Sequence, residues 1–236
     1  DYTVHDKVHP NKAGAEKMAT VWFEALKKVL ASSETVFSPE IVRYKTLEDG
    51  DSLALHIFKP RNMQAGEKRP AIVYFFGGGW KLGTPIQFYR ECAYYASKGM
   101  VAVSVDYRIG YLHHSTPFDS FEDAKDAICW LRSHASDYQL DPDKIAVAGG
   151  SAGGHLAAAL GTIGSDETVP AGYRPNLSVL YYPVIDMVSR GYGFPEIKRD
   201  FEKISPIHHV SEATPSTLIL LGTKDPIVSV ETIRSY

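Results

Sequence analysis

The stretch KIAVAGGSAGGHLAAAL, residues 144–160, decides the fold. Its first half is a short apolar run of strand length. Its second half is rich in alanine and leucine and reads as a helix. Between them Gly149-Gly150-Ser151-Ala152-Gly153 forms a G-x-S-x-G, the corner in which a serine is lifted out of a sheet on a tight strand-to-helix turn. Glycines on either side let neighbouring chain pass where a Cβ would collide. The helix start directs backbone N–H groups toward developing negative charge. The same small residues would also suit plain close packing of a strand against a helix, so the motif needs its context.

That context extends along the chain. Apolar strands at 71–76 (AIVYFF), 100–107 (MVAVSVDY), 144–150, 177–182 (LSVLYY) and 216–222 (STLILLG) alternate with helices expected over 86–98, 119–136, 152–163 and 229–236. Short continuous apolar strands of this kind are buried on both faces. The pattern is therefore α/β, with a mostly parallel central sheet and helices on both faces. In the 119–136 helix, Asp119 is the expected cap, and Phe121, Ala124, Ile128, Leu131 and Ala135 make one apolar stripe. Upstream, EIVRYKTL and LALHIFKP read as two paired strands around a turn at 48–51. Residues 11–31 read as an amphipathic helix. The chain thus divides into a leading segment, 1–37, and the α/β domain, 38–236.

Composition narrows the function. The 236 residues carry a net charge of -3 with interspersed signs, which offers no electrostatic footprint for nucleic acid or an anionic membrane. No apolar run is long enough to span a bilayer, and residues 1–10 are charged and His-rich rather than signal-like. Cys92 and Cys129 sit in apolar helical patterns and read as buried small hydrophobes, not as a disulfide framework.

Two further segments carry chemistry. After the 71–76 strand, Gly77-Gly78-Gly79-Trp80 offers unobstructed N–H groups to an oxyanion, with the Ala152 N–H as complementary donor. A flexible glycine loop is the plainer alternative; a phosphate cradle lacks the Lys-Ser/Thr or G-x-G-x-x-G that would support it. Asp225 follows the 216–222 strand, where open α/β sheets place their ligand crevice, although Asp-Pro is also an ordinary turn.

The segments FFGGGW, MVAVSVDYR, TPFDSFEDAKDAICWLR, GGSAGGHLAA and LLGTKDPIV, in that order over nearly two hundred residues, resemble the α/β-hydrolase superfamily. The likeness is to its acetyl esterase and lipase branch, related to hormone-sensitive lipase. The resemblance implies ester hydrolysis with no cofactor and no metal: Ser151 as nucleophile, Gly77, Gly78, Gly79 and Ala152 as the oxyanion hole, and Asp225 as the acid. Many members carry His where Phe76 stands. That histidine organises the loop, so its absence should change loop support more than chemistry. The family's catalytic histidine follows a further strand. None of the nine histidines here occupies that place, and the expected base lies beyond residue 236. His155 reads as structural. His113 and His114, with Trp80, Tyr107 and Tyr111, are the expected lining of a substrate pocket, the aromatics as platforms for sugar rings. Met187, Tyr192 and Phe194 are expected to close a shallow acyl pocket. Separately, Asp6-Lys7-Val8-His9-Pro10 resembles the last block of the SGNH hydrolases, in which Asp6 and His9 would be acid and base of another serine triad. The substrate expected is a small acyl ester, with acetyl groups on plant cell-wall carbohydrate foremost. A serine peptidase of the prolyl-oligopeptidase kind and a catalytically inactive binding module are the alternatives.

Overall fold

The computed structural model describes residues 38–61, 63–164, 171–187 and 200–236, together with Lys17 and Thr20. The chain divides into two compact units, Asp1–Ser38 and Pro39–Tyr236. In the first, Lys17 and Thr20 are helical. The rest of the expected 11–31 helix lies outside the described residues, as do Asp6 and His9.

The second unit is built on a sheet whose described strands are β1 (Glu40–Thr46), β2 (Ser52–Phe58), β3 (Arg69–Phe75), β4 (Val101–Val105), β5 (Leu140–Gly150), β6 (Leu177–Tyr181) and β7 (Ser216–Leu220). Their order is β1-β2-β4-β3-β5-β6-β7. β2 is antiparallel to β1 and β4, and every pair from β4 through β7 is parallel. The β1–β2 hairpin turns where the sequence indicates: Gly50, at φ 90°, donates to Leu47 O at 3.0 Å. The longer helices are α1 (Tyr89–Ser97), α3 (Pro117–Ser133) and α4 (Ala152–Thr162), with short α2 (Gly110–His113) and α5 (Val230–Ser235).

Three sequence expectations need correction. α3 starts earlier than Asp119. Thr116 is its cap residue, Pro117 takes the first helical position, and the Asp119 carboxylate accepts from Thr116 N at 2.8 Å and Oγ1 at 2.7 Å. A proline in that place loses no helical hydrogen bond and presets φ, while Asp119 acts as the third-residue partner of a capping box. Cys129 is exposed, because it stands one position, about 100° of helix, off the buried stripe of Phe121, Ala124, Ile128 and Leu131. Both cysteines are free thiols. β7 is not buried on both faces: Leu218 and Leu220, on one face of the last strand in the sheet, are exposed.

The parallel register brings the carboxyl ends of the central strands level. Phe75 pairs with Gly149, Gly150 with Tyr181, and Tyr181 with Leu220. The corner after β5 is packed without room for side chains. A Cβ on Gly149 would stand 2.3 Å from Gly153 O, and one on Gly153 would stand 2.0 Å from Phe75 O. Both neighbours are backbone and cannot step aside. Gly153→Ala should therefore lower unfolding free energy by about 3 kcal/mol or more, whereas Gly222→Ala, where a Cβ meets nothing within 4 Å, should stay within about 0.5 kcal/mol of the parent. Urea titrations of the two variants measure the difference, and equal midpoints would contradict this packing.

Candidate active site

Ser151 joins β5 to α4 with φ 55° and ψ −118°, a backbone conformation costly for any residue with a Cβ. Tertiary contacts hold it there. Its N–H donates to Tyr181 O at 3.0 Å, and its carbonyl accepts from His155 N at 2.9 Å. The side chain is half-buried, and none of the seven described histidines hydrogen-bonds its hydroxyl.

The glycine loop comes directly against this corner. A Cβ on Gly77 would lie 2.8 Å from Gly150 O and 3.4 Å from Ser151 Cβ. Gly78, Gly79 and Trp80 follow with φ of 140°, 62° and 58°. Gly77 is not a free donor, however: its N–H is bonded to Gln87 Oε1 at 2.5 Å. Among the described residues, nothing accepts from Gly78 or Gly79 N–H. Ala152 is the first residue of α4, whose N–H has no partner within the helix. These three are the donors available beside Ser151.

Two aromatics expected in a substrate pocket have buried rings, although Trp80 still lines the cavity beside the glycine loop. Tyr107 is fully buried, stacks on Phe76 at 4.1 Å between centroids, and donates its hydroxyl to Phe76 O at 2.6 Å. Trp80 is 1% exposed and donates Nε1–H to His155 Nδ1 at 3.2 Å. Neither ring offers a face to a sugar. His155 completes the chain of contacts through Nε2, which donates to Ile204 O at 2.6 Å. With one nitrogen accepting and the other donating, the ring must be neutral, and burial holds its pKa down at about 4. His113 accepts from Ile109 N–H through Nδ1 at 3.0 Å and sets Nε2 3.7 Å from Asp51. His114 is exposed, with φ 52°. Tyr111 alone of the three aromatics is open, 74% exposed. It lines a cavity of about 180 Å³ with Gly79, Lys81, Ser115 and Thr116, next to the glycine loop.

Asp225 lies just past β7, two strands from β5, a lateral separation of roughly 10 Å. Its Oδ1 accepts from Val228 and Ile227 N–H, both at 2.9 Å, and these bonds hold the carboxyl below its ordinary range, keeping it ionised. That spacing leaves room for an imidazole between Asp225 and Ser151. Met187 is buried, while Tyr192 and Phe194 lie outside the described residues. Sequence reading missed Gln87 and Tyr182. The Tyr182 ring is half exposed, and its hydroxyl stands beside Gly150, 3.0 Å from where a Cβ would be. Neither carries a motif; only the fold brings them to Ser151.

Residues 55–194 match the family model described as BD-FAE. The chain belongs to the BD-FAE family. Among relatives of this BD-FAE chain, Esterase LipC of Mycobacterium tuberculosis is 29% identical over 219 residues, covering 80% of the chain and 52% of LipC. An acetylxylan esterase of Xylanibacter ruminicola is 26% identical, covering 79% of the chain and 39% of that protein. The chain spans about half the length of the first curated relatives it matches. The structure of Thermogutta terrifontis esterase 2 with bound propionate superposes with a TM-score of 0.76 at 38% identity, covering 84% of the chain and 76% of the esterase.

The neutral, buried His155 has a pH consequence. Its folded pKa, about 4, lies below the ordinary 6.5, so the unfolded chain takes up a proton in that interval and the folded chain does not. Its contribution, on the order of 3 kcal/mol, is fully present above pH 6.5 and is lost as the pH falls toward 4. Denaturant titrations across this range should show the parent losing more stability than His155→Gln; parallel curves would contradict a neutral buried imidazole.

Proposed function

We propose that this chain is the core of a serine carboxylic-ester hydrolase acting on small acyl esters through a covalent acyl-enzyme. The observation that carries the reading is the strained Ser151 corner with the Gly78, Gly79 and Ala152 N–H groups beside it. Ser151 Oγ attacks the ester carbonyl. The three N–H groups take the oxygen as it becomes negative, where fixed donors contribute more than water because they need no reorganisation. A histidine, which the described residues do not supply, accepts the serine proton and returns it to the leaving alcohol, with the ionised Asp225 orienting its ring. Water then repeats the sequence on the acyl-enzyme.

For the substrate, acetyl esters of plant cell-wall carbohydrate are the favoured class. The acetylxylan esterase relative and the exposed Tyr111 at the cavity beside Gly79 support this reading. The cavity would receive the alcohol side of the ester, where a sugar ring can lie against the Tyr111 face and meet the hydroxyl of Thr116.

In the full-length protein, Ser151→Ala should lower turnover of p-nitrophenyl acetate by several orders of magnitude, as loss of a nucleophile requires. Activity within tenfold of the parent, a change of only about 1.4 kcal/mol in barrier, would remove Ser151 from the mechanism.

The acyl side is tested by kcat/KM across acetate, butyrate, octanoate and palmitate esters. Each CH₂ received by a pocket would add about 0.8 kcal/mol of binding. A shallow pocket ends that gain early, so the maximum should fall at acetate or butyrate. A maximum at octanoate or beyond would replace this reading with a lipase.

A further inference from the structure

We propose that Gln87 is the positioning residue of the oxyanion loop, tying down the Gly77 peptide so that the next two N–H groups point at the reacting carbonyl. The inference rests on the esterase reading. The glycine run combines the conformational freedom of three glycines with φ values of 140°, 62° and 58° at Gly78, Gly79 and Trp80. A segment this free holds one geometry only if both ends are fixed. Its downstream end is closed by turn bonds from Lys81 and Leu82 N–H to Gly78 O, each 3.1 Å. Its upstream end is held by two side chains: Tyr107 Oη donates to Phe76 O, and Gln87 Oε1 accepts from Gly77 N–H. Phe76 itself, an apolar ring stacked on Tyr107, contributes no polar anchor.

Gln87 is itself well placed to serve as a fixed post. It lies in a single 3-10 turn, Pro85–Phe88, just before α1. Pro85 O accepts from Ser104 Oγ of β4 at 2.7 Å, and the Phe88 ring stacks on Tyr74 of β3 at 4.8 Å. The residue is exposed, yet its amide oxygen reaches a buried peptide. Without it, a buried N–H would be left unpaired, and the Gly77 peptide could relieve that cost by rotating. Rotation there swings the N–H of the next residue, the donor closest along the chain. Because the space a Cβ on Gly77 would take lies 2.8 Å from Gly150 O and 3.4 Å from Ser151 Cβ, the same movement would reach the nucleophile corner.

The test uses the full-length protein with Gln87→Leu, which removes the acceptor at similar volume, Gln87→Asn, which withdraws it by one methylene, and Gln87→Glu, which keeps an oxygen in reach. Steady-state kinetics with p-nitrophenyl acetate are read beside inhibition by an aryl trifluoromethyl ketone, whose serine adduct carries a full oxyanion. Leu and Asn should lower kcat on the order of 10²-fold with KM nearly unchanged. They should weaken the ketone by a like factor, and Glu should restore most of both. Exchange of the Gly77 amide hydrogen, slow in the parent, should quicken in Leu and Asn. Leu or Asn variants that match the parent in kcat and in ketone affinity overturn the inference, as does a loss that Glu shares equally. A parent that neither turns over ester nor binds the ketone overturns the esterase reading itself, a result distinct from parent and variant being inhibited alike.

Discussion

The structure depends on one steric constraint: the chain leaving β5 must reverse into α4 within a single residue, and that residue is Ser151. At φ 55° and ψ −118° the conformation is unfavourable for a side chain with a Cβ. It survives because Gly149 and Gly153 let the strand and helix backbones approach to within contact of Phe75 O, leaving no alternative path. The parallel register then lines up the ends of β3, β5, β6 and β7 around this corner, so the loops that follow these strands converge. Geometry that is costly locally is held in place by the sheet.

Around the corner, buried polar contacts connect elements far apart in sequence. Trp80 of the glycine loop, His155 of α4 and Ile204 form one hydrogen-bonded series. Tyr107, after β4, holds Phe76, and Gln87, before α1, holds Gly77. The loop beside Ser151 is therefore supported from three directions, through the buried side chains of Trp80 and Tyr107 and the exposed side chain of Gln87. On the proposed esterase reading, such support would keep the donors aimed before any substrate arrives, which is where electrostatic stabilisation of a transition state gains most. Asp225, just past β7, is likewise fixed by two backbone N–H groups and kept charged by them.

Much of this could be read from the sequence. The strand and helix runs, the corner at Ser151 and the hairpin ahead of β3 follow from local pattern, because hydrophobic period and glycine spacing act over a few residues. What could not be read depends on distant partners. Tyr107 looks like a pocket aromatic from its place at a strand end, but its hydroxyl finds an acceptor inside the molecule and its ring is buried, while Trp80 lines the cavity beside Gly79 with its ring buried and its Nε1–H bonded to His155. Gln87 looks like an ordinary polar loop residue; its bond to Gly77, ten residues earlier at the end of β3, exists only because the fold brings the two together. The exposed face of β7 and the exposure of Cys129 likewise depend on which neighbours cover an element, not on its own residues.

The central claim, that the strained serine is an activated nucleophile, is met most directly by intact-mass and peptide mass spectrometry of the full-length protein after reaction with an alkyl fluorophosphonate. Stoichiometric addition of one phosphonyl group, located on the peptide containing Ser151, is the result expected of a serine held beside a base and an oxyanion hole. An unmodified protein under conditions that label known serine esterases, or an adduct on another residue with Ser151 untouched, would contradict it.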